Sequence, residues 1–266
     1  MATTRTFPGV AGILDLRLPV GHARVTVDPA ATRIIVALTT ADDTGPSADA
    51  ISDTETSVDG ERFNVHVPNI NAAVTSVGTH AVVKGNVSNG SISVSQNINV
   101  VDGTLTLVEI DGDHIVLGRI IGAGSASPIE AAVTIPAGVA LVYSGTSAPL
   151  TVTGHLTALQ AKTVSGRLRL ASVGALDVNT TSGRVEAEVV FGPVMARTVS
   201  GNVVLGSYQG NGAVIKTVSG NVKCSAGRDA RGLFNVKTVS GNVRLRGVDR
   251  LEVSASTVSG RKSIAN

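Results

Sequence analysis

The chain has 266 residues, and its 22 Lys+Arg and 20 Asp+Glu give a formal net charge of +2. Only 2% of its residues are aromatic and none is tryptophan, which disfavours a β-sandwich core filled by rings and favours thin layers of small β-branched residues. Its single cysteine, Cys224, excludes an intrachain disulfide.

The N-terminal eight residues contain no basic segment followed by an apolar segment. No apolar run in the chain approaches the eighteen residues of a membrane-spanning helix. The sequence therefore predicts no membrane span and a cytoplasmic location, or exit from the cell by a route other than a cleaved signal.

Residues 1–70 are predicted to form a small N-terminal β unit. Apolar and polar residues alternate in segments bounded by Pro, Gly and Asp, as in half-buried strands. These segments are residues 12–18, 23–27, 32–38 and 62–68. The polar stretch between residues 39 and 57 is predicted to be a loop, or a short helix over residues 48–52.

Residues 71–130 are predicted to form an irregular β-rich insert or atypical early coils of a solenoid, and the sequence leaves both options open. Strand-like segments here are separated by Asn-Gly and Asp-Gly pairs, which favour hairpin turns. The cluster Asp111-Gly-Asp-His114 is the one metal-like motif. It is more typical of a hairpin turn, because no further ligand lies at metal-binding spacing.

Residues 131–266 are predicted to form β-solenoid repeats, because one five-residue motif recurs six times after residue 161. Its serines are separated by 17, 18, 19, 21 and 19 residues, a period typical of solenoids. The predicted fold is all-β, with a C-terminal single-stranded β-solenoid (β-helix) of about 17–21 residues per coil. The motifs are Lys162-Thr-Val-Ser-Gly166, Asn179-Thr-Thr-Ser-Gly183, Arg197-Thr-Val-Ser-Gly201, Lys216-Thr-Val-Ser-Gly220, Lys237-Thr-Val-Ser-Gly241 and Ser256-Thr-Val-Ser-Gly260.

Side-chain parity predicts which motif residues face solvent. Ile215 and Val236 share parity with Thr217 and Thr238, so we expect each motif threonine to face inward. The preceding cation and the following valine then face outward. We expect the serine to be inward and held by hydrogen bonds, and the glycine to form a corner that needs a permissive backbone.

This parity predicts an interaction face composed of a basic ladder and a valine stripe. An exposed apolar stripe favours a protein contact, whereas repeated surface cations more often keep a solenoid soluble. More cations follow on the next strand, at Arg167, Arg169, Arg184, Lys223, Arg244 and Arg246. The predicted face consists of Lys162, Val164, Arg197, Val199, Lys216, Val218, Lys237, Val239 and Val258.

Charge is divided unevenly between the two parts of the chain. Residues 1–150 carry 7 Lys+Arg and 14 Asp+Glu, whereas residues 151–266 carry 15 and 6. The first part therefore has a net charge of −7 and the second +9. This polarity favours head-to-tail self-association or binding of a polyanion by the basic part.

No catalytic, cofactor-binding or metal motif is recognised in the sequence. Acidic residues in the repeats do not recur at a common position, as paired catalytic carboxylates of a sugar-cleaving β-helix would. Nucleophile-elbow, phosphate-loop and Cys-His signatures are missing. The sequence therefore predicts a protein that is not an enzyme and needs no cofactor or small-molecule substrate.

Three features together resemble a known bacterial family. They are the recurring Thr-Val-Ser-Gly-Asn-Val phrase, the segment from Ile129 to Gly138, and the opening Leu16-Arg-Leu-Pro-Val-Gly21 with Ala23-Arg-Val-Thr-Val27. The sequence is similar to candidate adhesins, or β-strand repeat proteins, of unknown function, which occur in actinobacteria and their phages. The resemblance is close over residues 131–266, loose over 10–70, and lost over 71–130. It implies a β-solenoid and supplies no catalytic residues.

The leading functional hypothesis is a rigid structural or protein-interaction module, able to self-associate through the predicted face. A polyanion binder, for nucleic acid or acidic polysaccharide, is one alternative. End-to-end polymerisation, as in bactofilins, is another, although the charged residues 260–266 are typical of a cap that discourages stacking. A phage virion or host-directed protein, or a surface adhesin, follows from the family resemblance alone.

Overall fold

The structure is a computed structural model that describes residues 2–70 and 127–265, together with the backbone of four strands between them. The described part of the chain is all-β apart from one short helix, and the solenoid has about seven turns of about 19 residues. The predicted fold class is therefore confirmed. The predicted domain boundaries at residues 70 and 130 stay predictions.

Six strands and a helix lie in the N-terminal part. They are β1 (Thr3–Gly9), β2 (Ile13–Arg17), β3 (His22–Val27), β4 (Ile34–Thr40), α1 (Pro46–Ser52), β5 (Glu55–Asp59) and β6 (Arg62–His66).

The prediction from sequence omitted two of these strands and made the helix too short. β1 was not predicted, and β5 begins inside the stretch predicted as loop or helix. All five residues of β5 are exposed, so it has no apolar alternation to reveal it. The helix begins at Pro46, since proline is well suited to the first turn, where its missing N–H costs nothing.

Among the described residues between positions 81 and 121, four strands form a separate antiparallel sheet. They are β7 (Ala81–Val83), β8 (Val100–Val101), β9 (Thr104–Asp111) and β10 (His114–Ile121). Asp111 pairs with His114 across the β9–β10 hairpin, while Gly112 and Asp113 lie outside the described residues. The choice between an insert and early coils also falls largely outside them.

Thirteen strands follow. They are β11 (Glu130–Ile135), β12 (Ala140–Gly145), β13 (Leu150–Thr163), β14 (Leu168–Thr180), β15 (Val185–Val190), β16 (Val194–Thr198), β17 (Val203–Tyr208), β18 (Ala213–Thr217), β19 (Val222–Ala226), β20 (Gly232–Thr238), β21 (Val243–Arg246), β22 (Leu251–Thr257) and β23 (Lys262–Ala265).

The coils stack as two parallel ladders that face each other across the core. The first ladder contains β12, the second half of β13 and of β14, β16, β18, β20 and β22. All of these except β12 end in a motif threonine. The second contains the first half of β13, which precedes the first motif, and the strands that follow the six motifs, namely the first half of β14, β15, β17, β19, β21 and β23.

Each motif corner is four residues long, such as residues 199–202 between β16 and β17. The return corners, which lead back to the first ladder, vary: residues 191–193, 209–212, 227–231 and 247–250. The uneven period of the sequence therefore arises outside the motif corner, in the return corners and in the strand lengths.

N-terminal strands continue both ladders. β2 pairs in parallel with β12 and β6, and β3 pairs in parallel with β11 and β13. One cluster of buried apolar side chains runs through both parts, from Leu14 and Val25 to Val243 and Leu245. Residues on both sides of the 71–126 segment thus share one core.

Candidate functional site

The predicted basic ladder is a column in the first ladder of strands. Arg197 pairs with Lys216, and Lys216 with Lys237, so three cations occupy successive coils. Hydrogen-bonded parallel strands lie roughly 4.8 Å apart, which fixes the spacing of these residues at the backbone. Lys162 belongs to the same column but is separated from Arg197 by Asn179.

These four cations make no ion pair within the described part of the chain. The nearest carboxylate in the adjacent outward column is Asp177, which lies with Lys162 and Arg197 around a shallow cavity of about 410 Å³. Further along the axis, Lys216 and Lys237 have no such neighbour in the described residues. The ladder therefore becomes more positive toward the later coils.

The predicted valine stripe lies at the motif corners, beside the basic ladder. Val164, Val199, Val218 and Val239 are 46–50% exposed, and Val258 is 82% exposed. Thr181 takes the valine position in the second motif. Outward orientation of these valines is confirmed, while their role as an interaction face stays a prediction.

Backbone hydrogen bonds hold the stripe in place. The N–H groups of Val239 and Ser240 both donate to the carbonyl oxygen of Val218, at 3.1 and 2.9 Å, and the next corner repeats this on Val239. At the last four corners, from Val199 to Val258, both N–H groups are thus satisfied by one carbonyl of the coil before, whereas at the first two corners each N–H group has its own carbonyl. The valine side chains are consequently presented on a rigid backbone.

The motif threonines face inward as predicted. Thr163, Thr180, Thr198, Thr217 and Thr238 are all buried. In the last five motifs, from Thr180 to Thr257, the hydroxyl accepts a hydrogen bond from the N–H of the motif glycine, at 2.8–3.1 Å. This contact satisfies a buried backbone donor and closes the corner.

The motif serines face outward, contrary to the prediction. Strict alternation placed serine on the threonine side, but the chain turns between valine and serine, so both residues are exposed. Several serine hydroxyls donate to carbonyls of the preceding corner, as Ser182 does to Val164 at 3.2 Å. Valine and serine columns therefore lie side by side on the corner.

The motif glycines lie one above another, but the predicted reason for them is wrong. None of the six, all of which the structure describes, has φ in the left-handed region. A Cβ added at Gly183, Gly201, Gly220, Gly241 or Gly260 would instead lie within 3.0 Å of the carbonyl oxygen of the glycine one coil before. Close stacking of the corners, which leaves no room for a side chain, requires glycine here.

An asparagine ladder, which the sequence analysis did not identify, begins just after the glycines. The backbone N–H of Asn221 donates to Oδ1 of Asn202 at 2.9 Å, and that of Asn242 to Oδ1 of Asn221 at 2.9 Å. The N–H of Arg261 continues the series to Oδ1 of Asn242 at 2.8 Å. Recurrence of Asn after Ser-Gly in three motifs is the signal that could have revealed it.

A groove of about 700 Å³ runs beside this ladder on the outer face of the second set of strands. It is lined by Arg184, Asn202, Val204, Asn221, Val222, Lys223, Asn242, Val243, Arg244, Ser259, Arg261 and Ser263. Three of the cations predicted on the following strand, Arg184, Lys223 and Arg244, are thus brought together. We call this feature the second-face groove.

One carboxylate neutralises the N-terminal end of this face. Glu186 pairs with Arg169 at 3.2 Å and with Arg184 at 3.1 Å. Partial desolvation acts to raise the pKa of Glu186, but hydrogen bonds from Arg184 and Arg169 outweigh it and the net shift is downward. Glu186 therefore stays ionised and compensates part of the charge of these two arginines.

The buried ionisable groups are structural. Burial raises the pKa of the Cys224 thiol to about 12, and it raises the pKa of Tyr143 as well. The Tyr143 hydroxyl donates to the carbonyl oxygen of Ala148 at 2.9 Å. Among the described residues there is no cluster of three or more His, Cys, Asp or Glu able to hold a metal ion, and no helix long and apolar enough to span a membrane.

Comparison with solved structures finds similar chains of low sequence identity. A candidate adhesin from Bacteroides fragilis NCTC 9343 is 13% identical, with 100% of this chain and 97% of that chain covered and a TM-score of 0.45. A candidate adhesin from Parabacteroides distasonis ATCC 8503 is 11% identical, with 100% and 96% covered and a TM-score of 0.47. No curated protein matches the chain in sequence.

A family model described as Toastrack DUF4097 matches residues 78–266. The match takes in most of the 71–130 segment that was expected to depart from the family, and it leaves out residues 10–70, where a loose resemblance was expected. It covers well over half of the chain, including all six motif corners. The chain belongs to the Toastrack DUF4097 family.

Proposed function

We propose that the chain is a non-enzymatic interaction module that binds a protein partner through its basic ladder and valine stripe. One observation carries the proposal, namely that valines exposed by nearly half or more recur along a straight line of motif corners. From Val164 to Val258 the line crosses five coil steps, or roughly 24 Å. Contiguous exposed apolar surface with a polar rim is typical of protein interaction sites.

The shape of the stripe supports a protein partner. A hollow of about 300 Å³ lies at its N-terminal end, lined by Pro19, Lys162, Val164 and Thr181 among others. A hollow of this size accepts one apolar side chain of a partner, as an anchor residue does at interface centres. The hydrogen-bonded corner backbone fixes the valines beforehand, so binding costs little ordering of the surface.

The charge beside the stripe defines the partner's complementary surface. Arg197, Lys216 and Lys237 follow the valines coil by coil without ion pairs in the described part of the protein. A fitting partner has an apolar strip flanked by carboxylates. The exposed β5 strand, with Glu55 and Asp59, supplies acidic groups on this chain, so a second copy is one candidate partner.

The experiment is a capture of partners from the native cell with purified wild-type protein and a Val218→Asp, Val239→Asp variant. We expect the variant to lose the captured protein. The matched control is Phe191→Asp with Leu233→Asp, which replaces exposed apolar residues at or next to the return corners. Retained capture by the stripe variant, or equal loss by the control, would contradict the proposal.

Self-association is tested separately by analytical ultracentrifugation. A concentration-dependent dimer that dissociates in Lys216→Glu with Lys237→Glu, and also at high salt, would make a second copy the partner. A wild-type protein that stays monomeric at high concentration would exclude it.

Polyanion binding by the basic ladder is a second candidate function, favoured by the register of Arg197, Lys216 and Lys237 on adjacent coils. Cations at a fixed spacing that are not paired with carboxylates attract phosphate or acidic polymers. Salt-dependent retention on heparin or DNA that disappears in Lys216→Glu with Lys237→Glu is the expected result. Unchanged retention in that variant would contradict it.

A further inference from the structure

We propose that the second-face groove is a separate binding site for an acidic polysaccharide, with its strongest contacts at Lys223, Arg244 and Arg261. The site lies on the strands after the motif corner, whereas the basic ladder lies on the strands before it. It therefore does not depend on the protein interaction proposed above.

The lining of the groove carries positive charge only. Lys223 pairs with Arg244 in adjacent coils, and Arg261 follows Asn242 at the next corner, so three exposed cations lie within neighbouring coils. No side chain lining the groove is a carboxylate. Glu186 lies in the same outward column as Lys223 but two coils away, and its oxygens are held by Arg169 and Arg184.

The asparagine ladder gives the groove its hydrogen-bonding character. Oδ1 of Asn202, Asn221 and Asn242 each accept a backbone N–H from the following coil. The Nδ2 groups of Asn202 and Asn242 donate to no protein acceptor among the described residues. The ladder thus consumes the amide oxygens and leaves amide donors on the groove wall beside the cations.

The excess of hydrogen-bond donors on the groove wall favours an anionic ligand. Carboxylate and sulfate groups accept hydrogen bonds without donating any, so they suit a wall of guanidinium, ammonium and amide groups. Ser259 and Ser263 add hydroxyls that can accept from a sugar hydroxyl. A neutral sugar, which needs as many acceptors as donors, fits less well.

The lining also separates an acidic polysaccharide from a nucleic acid. Single-stranded nucleic acids are bound by aromatic side chains on which bases stack, in addition to cations. No aromatic residue lines the groove. Unstacked bases would gain little there, whereas a flexible chain of acidic sugars needs only the donors that the groove presents.

The test measures binding of a heparin-derived octasaccharide to the full chain by fluorescence anisotropy at fixed salt. We expect Lys223→Glu with Arg244→Glu to weaken binding by about tenfold or more, since each 1.4 kcal/mol is tenfold in affinity. Asn242→Asp should also weaken it, because Oδ1 can still accept from Arg261 while the Nδ2 donor becomes a carboxylate oxygen.

Two control variants change charge by the same amount elsewhere. Arg228→Glu with Arg231→Glu, exposed on a return corner, should leave binding within about twofold. Equal loss in this control would show that only net charge matters and would overturn the site. Loss in Lys216→Glu with Lys237→Glu but not in the groove variant would move the anion to the basic ladder and would also overturn it.

Two further probes decide the ligand class. An oligothymidylate of similar length and a polyglutamate peptide are measured with the same variants. Tighter groove-dependent binding of either probe than of the octasaccharide would overturn the polysaccharide assignment. Weaker binding of both supports it. Thermal unfolding of every variant checks that each remains folded.

Discussion

The backbone N–H of Gly220 donates a 2.9 Å hydrogen bond to Oγ1 of the buried Thr217, three residues before it. This contact joins two of the three residue types that the motif never varies, namely threonine, serine and glycine. Threonine supplies a buried acceptor for the corner, and glycine lets the corner stack against Gly201 of the preceding coil. Both properties are open to direct test.

We expect Gly220→Ala to destabilise the protein by about 1–3 kcal/mol. The new methyl group would collide with the carbonyl oxygen of Gly201, and backbone atoms cannot move aside as a flexible side chain can. Gly212→Ala is the control, because its Cβ would meet only one atom, 3.9 Å away. Thermal unfolding followed by circular dichroism measures both. Equal shifts in Tm would contradict the stacking explanation.

Thr217→Val should cost about 1–3 kcal/mol while keeping the shape of the side chain. The substitution removes the acceptor and leaves the Gly220 N–H buried without a partner. Thr181→Val is the control, since Thr181 is exposed at the valine position of its motif. Its change should stay within about 0.5 kcal/mol. Denaturant unfolding compares them, and a neutral Thr217→Val would show that the hydroxyl is dispensable.

Side-chain orientation at the corner predicts opposite outcomes for two nearby valines. Val239→Thr should change stability by less than about 0.5 kcal/mol, because Val239 is 48% exposed. Val243→Thr should destabilise by about 1–3 kcal/mol, because it buries a hydroxyl in the apolar core. The same unfolding experiment serves for both. Similar losses would mean that Val239 is packed rather than presented.

Cys224 should make stability fall as pH rises above about 9. Burial raises the pKa of the folded thiol to about 12, so between these pH values the unfolded chain loses its proton while the folded chain keeps it. Because the unfolded state then binds fewer protons than the folded state, the contribution of Cys224 to the free energy of unfolding is fully present below the pKa of the unfolded thiol. It is lost as the pH rises from that value toward the pKa of the folded thiol. Cys224→Val lacks this contribution, so its stability should fall less than that of the wild type as the pH rises from 9.0 toward about 12.

A thiol reagent gives a second test of the same site. Native Cys224 should react far more slowly with a disulfide reagent at pH 8 than the unfolded chain does, because the thiolate is the nucleophile. Rapid labelling of the folded protein would contradict the burial of this side chain.

The local periodicity of the sequence was enough to predict the solenoid fold and the orientation of the motif threonines and valines. Recurrence of Thr-Val-Ser-Gly set the solenoid, and alternation around Ile215 and Val236 set the inward threonines and the outward valines. These features are encoded within a few residues of each other, where strand geometry leaves two orientations and the cost of burying a cation selects one.

Only the tertiary structure decided how the coils meet. The outward serines, the contact of each glycine with the glycine one coil before and the asparagine ladder all depend on residues 17 to 21 positions apart. The pairing of β2 with β12 joins Leu14 to Leu141, across a separation that no local pattern encodes. Such strand registers depend on packing of the whole core, because the side chains of one strand must fit against those of all the other strands.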